Sequence, residues 1–177
     1  FDVHDPESEL RTAERVLASI RRGLRVLENT SGFAALIPAV GSNLVEAVPG
    51  AETIDDVAAV PGRLLEVKGR TTVPADPEFG VSEHVAGLLL AARSAGSDAR
   101  AAVNVRYDPD LVERLAAEYE AVEFDAEADL EEAVVAAVGS NPDADVLYQT
   151  GGFGVEPVIY VLGPDAVAAA ERVRGVA

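Results

Sequence analysis

Segments with the periodicity of helices and of strands alternate along almost the whole chain. In one example the strand-like ARAAVNVRY at 99–107 leads into the helix-like DPDLVERLAAEY at 108–119, and then into the strand-like AVEF at 121–124. A chain of this kind buries its apolar residues by packing helices on the faces of a sheet. We therefore predict roughly six strands covered by five or six helices, in an α/β or α+β sandwich.

The helices are predicted from apolar spacing and from the residues at their ends. The first is amphipathic, with Asp5 as its N-cap and Pro6 in its first turn. A helix is also expected to begin near Leu44, after the turn at 41–43. Ser82 is expected to cap another helix, which Gly96 closes. The remaining helices are predicted at 108–119, at 128–139 with Gly139 as the stop, and at 164–175.

The strands are predicted from short runs rich in β-branched and aromatic residues. FAALIP at 33–38 indicates a short buried strand, and RLLEVKGRTTV at 63–73 is β-rich with a bulge or hairpin turn at Gly69. ADVLYQT at 144–150 and PVIYVLG at 157–163 flank a glycine-rich loop. Such short connections indicate that part of the sheet is antiparallel.

The length of 177 residues suits one domain. We expect residues 1–30 to form an N-terminal helix that leads into a domain spanning 31–177. The sequence begins at Phe1 and contains no methionine. We therefore expect it to be part of a longer chain.

Acidic residues dominate the charge, with 31 Asp and Glu against 14 Lys and Arg and a net charge of −17. We interpret this as adaptation to a salt-rich cytoplasm, where ions screen the repulsion. An acidic partner-binding face is the alternative, although the carboxylates are spread along the chain. Direct binding to nucleic acid is not expected, because phosphate binding needs a basic surface.

Cysteine is absent, which excludes disulfides, thiolate zinc sites and a cysteine nucleophile. No apolar run approaches the roughly 20 residues that a membrane helix needs, and no signal peptide is evident. We expect a soluble, cytoplasmic protein that does not bind membranes.

The region from 60 to 106 differs in charge from the rest of the chain. It holds six basic and five acidic residues, for a balance of +1, whereas the remainder carries −18. Strand alternation places Arg100, Asn104 and Arg106 on one face. This face is either an exposed surface with solvated arginines or, as we prefer, a site for an anionic ligand, because asparagine is a poor strand former without a specific partner.

His84 lies in the first turn of the helix that follows Ser82. A helix N-terminus attracts anions and favours a neutral imidazole, so His84 is a candidate site residue, with a structural or capping role as the alternative. No other ligands are spaced around it for a metal site. We assign no function to His4.

Two loops complete the candidate site. Gly41, Ser42 and Asn43 offer backbone N–H groups and a hydroxyl to an anion, although an ordinary helix cap is the alternative. The glycines of TGGFGVEP allow close approach of a ligand or serve a tight turn. Glu156 beside them is able to bind a polar base or a metal ion. The loop residues assigned to substrate binding are Gly151, Gly152 and Glu156.

Four segments carry a resemblance to a known family: IPAVGSNLVEAVPGAETIDDVAAVPGR, PEFGVSEHVA, ARAAVNVRYD and DVLYQTGGFGVEP. In this order and spacing, from about Gly32 to Gly163, the chain resembles the ThiN-type thiamine-phosphate synthase domain. The resemblance implies an α/β fold, a three-layer αβα sandwich with a mixed, mostly antiparallel sheet. It also implies that hydroxymethylpyrimidine diphosphate is joined to hydroxyethylthiazole phosphate, giving thiamine monophosphate and pyrophosphate.

The catalytic arginine and histidine of the enzymes in this family correspond to Arg63 and His84. We predict that Arg63 and Arg106 stabilise the departing diphosphate, with Mg²⁺ carried by that diphosphate. His84 then donates a hydrogen bond or proton to it, or orients the pyrimidine. The remaining residues assigned to substrate binding are Gly41, Ser42, Asn43, Ser82 and Asn104.

A thiamine-phosphate-sensing domain of a helix-turn-helix regulator is the main alternative function, and an acidic scaffold without a ligand is another. The pair of Arg63 and His84 favours the enzyme, because a sensor does not need it. Members of this family follow a kinase domain or a helix-turn-helix domain in the same chain, so we expect one of these upstream. We also expect a homodimer.

Overall fold

The computed structural model describes residues 6–177, which form five α-helices and nine strands. Asp5 and His4, discussed above, lie outside the described residues. The helices are α1 (Pro6–Glu28), α2 (His84–Ser94), α3 (Pro109–Ala116), α4 (Leu130–Ser140) and α5 (Ala166–Arg174). The strands are β1 (Leu44–Ala47), β2 (Val57–Ala59), β3 (Leu65–Val67), β4 (Arg70–Thr72), β5 (Glu78–Phe79), β6 (Ala101–Arg106), β7 (Ala121–Glu123), β8 (Val146–Gln149) and β9 (Val158–Gly163).

Seven strands form one sheet in the order β5-β2-β1-β6-β9-β8-β7, while β3 and β4 pair as a separate hairpin. Within the large sheet only the β7–β8 pair is parallel. The sheet is therefore mixed and mostly antiparallel, as predicted.

Helices cover both faces of the sheet and create two apolar cores. One core contains buried residues of α1, α3 and α5 against one face, and the other contains residues of α2 and α4 against the opposite face. Within β6, Val103 and Val105 belong to the first core, while Ala102 belongs to the second. This confirms the α/β three-layer αβα sandwich.

Helix α1 is part of the first core and does not stand apart from the domain. Its buried residues are Val16, Ser19, Ile20, Gly23, Leu24 and Leu27. Gly23 allows the close packing, because a Cβ placed there would come within 2.7 Å of the Leu44 side chain and 2.9 Å of the Ala166 carbonyl oxygen. Helix α1 thus ends at Glu28 and shares one core with the rest of the chain.

Two local predictions were wrong. The helix expected near Leu44 is strand β1, because Leu44 packs into the first core and Val45 into the second. Such alternation suits a central strand buried on both faces. The strand expected at 33–38 is a 3₁₀ helix, Phe33–Leu36. Phe33 is the buried residue of this helix, and Ile37 caps its end in an extended conformation, with its N–H donating to the Ala34 carbonyl.

The predictions made from turn and cap residues were confirmed in part. Lys68 and Gly69 connect β3 to β4 with φ angles of 53° and 79°, the left-handed pair typical of a tight hairpin. Ser82 assists the start of α2 by accepting a hydrogen bond from the Ala86 N–H at 3.3 Å, although the N-cap position is one residue later. The predicted stop at Gly139 was wrong, because α4 continues through it to Ser140.

Strand direction gathers several loops at one edge of the large sheet. Leu44 at the start of β1 pairs with Val103 in the middle of antiparallel β6, so the residues before Leu44 run towards the end of β6. Arg106 at the end of β6 pairs with Val158 at the start of β9. The loops before β1, after β6 and before β9 therefore lie at the same edge. The loop after β2 joins them, because β2 runs antiparallel to β1.

Candidate active site

A cleft of about 440 Å³ lies at this edge of the sheet. It contains six residues that the sequence predicted for the site: Gly41, Asn43, Arg63, Ser82, His84 and Asn104. The other lining residues, which sequence reasoning had not assigned to the site, are Val40, Gly62, Gly80, Val81, Glu83 and Val85. The cleft thus combines the loop before β1, the loop after β2 and the start of α2.

Asn104 of β6 holds the loop before β1 in place. Its Oδ1 accepts a hydrogen bond from the Asn43 N–H at 2.7 Å, and its Nδ2 donates to the Gly41 carbonyl at 3.2 Å. The Ser42 hydroxyl donates to the Asn104 carbonyl at 2.6 Å. Asn104 is buried and its amide has specific partners, as expected of an asparagine in a strand, but these partners belong to the protein backbone.

Asn43 extends this network to the neighbouring strand. Its Nδ2 donates to the Val60 carbonyl at 3.0 Å, and its Oδ1 accepts from the Val60 N–H at 2.9 Å. Val60 directly follows β2 and precedes Arg63. The two asparagines therefore connect β6 to the loop that carries Arg63.

Arg63 stands in a strained position at the wall of the cleft. Its φ of 64° is one of two positive values among the described residues other than glycine. Its Nη1 donates to the Val40 carbonyl at 2.7 Å. Gly41, with φ of 94°, lies so close that a Cβ there would come within 3.1 Å of the Arg63 Cβ. Because Gly41 has no side chain, its backbone can pack closely against Arg63.

His84 enters the cleft from the first turn of α2, and a hydrogen bond from a buried tyrosine holds its ring in place. Nε2 lies 2.5 Å from the hydroxyl of Tyr160 on β9. Part of His84 remains exposed to solvent. The protein atoms packed around the imidazole partly desolvate it, and this lowers the pKa of His84. The nearby positive charge of Arg63 lowers the pKa of His84 further. The imidazole is therefore neutral at pH 7.

Sequence reasoning missed Tyr160. The run PVIYVLG predicted its strand, but nothing local indicated that its hydroxyl would reach a histidine 76 residues earlier. The signal lies in the pairing of β6 with β9, where Asn104 and Tyr160 are direct partners. Cross-strand partners project to the same face, so both side chains face the layer of α2.

The predicted arginine face is not one surface. Ala102 and Asn104 are buried, while Arg100 directly precedes β6 and Arg106 is its last residue. Arg100 donates to the Ala47 carbonyl at 3.1 Å. Arg106 donates to the Ile37 carbonyl at 3.4 Å and lines a separate cleft of about 370 Å³ with Glu66 and Gly69. The structure therefore does not place Arg106 beside Arg63 and His84.

The glycine-rich loop between β8 and β9 does not line the main cleft. The Glu156 carboxylate accepts a hydrogen bond from the Ala39 N–H at 3.1 Å, next to Val40 of the cleft wall. The Gly151 N–H donates to the Gln149 side chain at 2.6 Å. Gly152 and Val155 form an isolated antiparallel β-bridge, and Phe153 between them is 98% exposed. The loop is thus a neighbour of the cleft.

Metal ligands are sparse in this region. Residues 6–177 contain no group of three His, Cys, Asp or Glu side chains that could hold a metal ion. Glu83 is the single carboxylate among the described residues that line the main cleft. Across the same part of the chain, no helix is both long and apolar enough to cross a membrane.

Comparison with known proteins identifies the family. The model of the thiamine-phosphate synthase ThiN family matches residues 19–175, nearly the whole chain. The chain belongs to the ThiN family. The matched region includes Arg63, His84 and the loop at 41–43, and it begins within α1.

Two relatives of the ThiN family agree with this. The chain is 33% identical over 168 residues to a thiamine-phosphate synthase ThiN from Methanothermobacter thermautotrophicus, covering 88% of both chains. It is 32% identical over 169 residues to a bifunctional thiamine biosynthesis protein ThiDN from Methanocaldococcus jannaschii. That match covers 91% of this chain but 40% of the bifunctional protein. Both names favour the synthase over the sensor.

Solved structures agree with the ThiN assignment. The C-terminal domain of a Methanocaldococcus jannaschii protein superposes with a TM-score of 0.85 at 32% identity, covering 92% of this chain and 93% of that domain. A C-terminal domain of phosphomethylpyrimidine kinase gives the same TM-score at 23% identity, covering 93% of this chain and all of that domain. The second likeness supports the fold.

Proposed function

We propose that this chain is a thiamine-phosphate synthase that joins hydroxymethylpyrimidine diphosphate to hydroxyethylthiazole phosphate. The observation that carries the proposal is the meeting of Arg63 and His84 in one cleft of a ThiN-family chain. These residues lie 21 positions apart in the sequence, on a loop and at a helix start. Their proximity is therefore a product of the fold.

The chemistry needs little from the protein beyond charge and alignment. The bond between the pyrimidine methylene carbon and the diphosphate oxygen breaks, and its electron pair leaves with the diphosphate. The thiazole nitrogen then donates its electron pair to the methylene cation, forming the new C–N bond and a positively charged thiazolium. The protein must hold both reactants in line and stabilise the leaving charge.

Arg63 is the cation we assign to the departing diphosphate. Its guanidinium is permanently charged and forms paired hydrogen bonds with phosphate oxygens. The left-handed backbone at Arg63, between Gly62 and Leu64, directs the side chain along the wall formed by Val40 and Gly41. Arg106 lines a separate cleft, so we propose that it binds the phosphate of the thiazole substrate instead.

His84 is a neutral hydrogen-bond donor in this proposal. Because desolvation and Arg63 lower its pKa, the imidazole does not carry a charge that would compete with Arg63 for the diphosphate. A ring N–H that faces the leaving oxygen strengthens its hydrogen bond as negative charge develops there.

Mg²⁺ enters this proposal as part of the substrate. Mg²⁺ is usually held by substrate phosphates together with one or two carboxylates and several waters. Glu83 is the carboxylate that we assign to Mg²⁺, since it lines the cleft beside His84. A titration of activity with Mg²⁺ at fixed diphosphate substrate, repeated with Glu83→Gln, tests this assignment. A rise in the Mg²⁺ requirement of Glu83→Gln supports it, and an unchanged requirement contradicts it.

The central test is product formation by the purified chain. Both substrates and Mg²⁺ are supplied at high potassium chloride, and thiamine monophosphate is detected after oxidation to its fluorescent thiochrome. We expect Arg63→Ala and His84→Ala each to lower kcat/KM by about 100-fold or more. Arg11→Ala is the matched control, because Arg11 forms an exposed ion pair with Glu7 on α1.

Two outcomes would overturn the proposal. A folded wild type that makes no product but is stabilised saturably by thiamine monophosphate would be a sensor. A folded wild type with neither product nor stabilisation would be a scaffold.

Two further proposals concern the surroundings of the domain. We propose a kinase domain upstream in the natural chain, supported by the relative that is bifunctional and by the similar C-terminal domain of a kinase. We also propose a homodimer. The length of the natural coding sequence tests the first, and sedimentation equilibrium over a hundredfold range of concentration tests the second.

A further inference from the structure

Tyr160 is buried beneath the cleft and its hydroxyl points at the candidate catalytic histidine. The residue is 1% exposed, and its ring packs at 6.2 Å from that of Phe124 and at 5.8 Å from that of His84. Within residues 6–177 the hydroxyl has one hydrogen-bond partner, Nε2 of His84.

The direction of this hydrogen bond follows from burial. Burial raises the pKa of the Tyr160 phenol well above its ordinary value, so the hydroxyl keeps its proton. A buried O–H that does not donate leaves an unsatisfied polar group, which is costly. Since His84 Nε2 is the partner within reach, the hydroxyl donates and Nε2 accepts. The ring proton of the neutral imidazole must then be on Nδ1.

We infer that Tyr160 is a positioning residue that holds His84 in the Nδ1–H tautomer, leaving Nδ1–H as the ring donor for a phosphorylated ligand in the cleft. The identity of that ligand rests on the proposed function, whereas the tautomer does not. Tyr160 occupies β9 directly opposite Asn104 of β6, which orders the loop on the other side of the cleft. One pair of facing strand residues thus supports two walls of the site.

The same hydrogen bond opposes protonation of His84. A protonated imidazole has only donors, so the oxygen of Tyr160 would have to accept from Nε2–H, and its buried O–H would lose the acceptor that it has in the neutral state. The charged groups beside the ring act in addition: Arg63 lowers the pKa of His84, and Glu83 lines the same cleft. Removing the hydroxyl should therefore let His84 take up a proton at higher pH, because a bond to the neutral form has been lost.

The first experiment observes the tautomer by NMR of the chain labelled with ¹⁵N-histidine. The chain has two histidines, so a His4→Ala variant assigns the remaining signals to His84. At pH 7 we expect the nitrogen shifts of His84 to show a protonated Nδ1 and an unprotonated Nε2. In Tyr160→Phe we expect a shift towards the Nε2–H form and a higher pKa of His84. The same spectra of Tyr119→Phe are the matched control, because Tyr119 packs against Arg172 through its ring face.

The second experiment measures turnover of Tyr160→Phe across pH. We expect kcat to fall roughly 10- to 100-fold with KM nearly unchanged, and the acid limb of the profile to move to higher pH. Tyr119→Phe should keep both the rate and the profile of the wild type. Circular dichroism and the Tm confirm that each variant is folded.

The spectra test the inference whether or not the chain makes thiamine monophosphate. A wild type with its proton on Nε2 would overturn it without any variant. A folded Tyr160→Phe with the tautomer and pKa of the wild type would also overturn it. If the tautomer is as expected but the wild type has no synthase activity, the proposed function fails and the positioning role stands.

Discussion

At the scale of single residues, the site depends on backbone conformations that most side chains avoid. Arg63 has φ of 64°, in the left-handed region that costs an L-residue about 1–2 kcal/mol. Such strain persists where the surroundings impose it, and it is concentrated at functional sites. Here the Val40 carbonyl and the loop at 41–43 hold Arg63 in place. The strained backbone therefore helps to position the Arg63 guanidinium in the cleft.

This strain predicts a separation of stability from activity. Arg63→Gly and Arg63→Ala both lose the guanidinium, so both should lose kcat/KM to the same extent, by about 100-fold or more. Glycine relieves the left-handed strain and alanine does not, so Arg63→Gly should be about 1 kcal/mol more stable than Arg63→Ala in urea unfolding. Lys68, with φ of 53° in the β3–β4 turn, offers the control. Lys68→Gly should likewise be more stable than Lys68→Ala, with activity retained in both. Equal stabilities of the two Arg63 variants would contradict the strain.

Asn104 predicts a second effect at the residue scale. In Asn104→Ala the Asn43 N–H and the Gly41 carbonyl lose their buried partners, which should cost about 2–4 kcal/mol. KM for the substrates should rise, because the loop that lines the cleft is no longer held. Urea unfolding and steady-state kinetics measure the two effects. Asn141→Ala, which removes a bond to the Ala137 carbonyl at the end of α4, is the matched control and should leave KM unchanged. Retention of the wild-type KM in Asn104→Ala would show that the loop is ordered without it.

At the scale of elements, Glu46 joins β1 to two of the three helices in one layer, α1 and α5. Its Oε1 accepts hydrogen bonds from the Ser19 hydroxyl of α1 at 2.6 Å and from the Ala166 N–H of α5 at 2.8 Å. Arg100 lies 3.9 Å from its other oxygen. Desolvation by burial raises the pKa of Glu46 above its ordinary value of 4.5, and these three partners oppose that rise. The carboxylate thus fixes the meeting point of β1, α1 and α5.

The raised pKa of Glu46 predicts how stability depends on pH. The folded state binds the carboxyl proton of Glu46 more tightly than the unfolded state does. The stability that this proton contributes is therefore fully present below about pH 4.5 and is lost as the pH rises through the folded-state pKa of Glu46. Gln in place of Glu46 does not titrate. The free energy of unfolding of Glu46→Gln relative to the wild type should therefore increase from pH 5 to pH 7.5, as urea unfolding measures. The other carboxylates are shared by both chains and cancel. A relative stability that stays constant or falls over this range would contradict the assignment.

At the scale of the whole molecule, the net charge of −17 governs how the fold responds to salt. Repulsion among surface carboxylates destabilises the compact state, and ions screen it over a Debye length of about 3 Å at 1 M. We predict that the Tm rises by several degrees between about 0.05 M and 1 M potassium chloride. Calorimetry at each potassium chloride concentration measures this rise in Tm. In a variant with Glu113→Lys and Glu118→Lys, two exposed positions, the rise should be smaller. A Tm that is insensitive to salt in both chains would refute adaptation to salt.

Much of the fold was predictable from local patterns. The amphipathic α1, the hairpin at Lys68 and Gly69, and the strand–helix–strand series from β6 to β7 follow from periodicity and turn residues within a few positions of one another. The strand β1 was not predictable in this way. Its four residues are buried on both faces, and no short-range pattern distinguishes such a run from part of a helix.

The sequence by itself determined the elements whose signals are local, and the motif residues Arg63 and His84. Only the tertiary structure decided that Asn104 holds a loop 61 residues away, that Tyr160 lies beneath His84, and that Arg106 belongs to a separate cleft. Periodicity states which face of a strand a side chain occupies. What it meets there depends on strand order and register, and these are set by the packing of the whole chain.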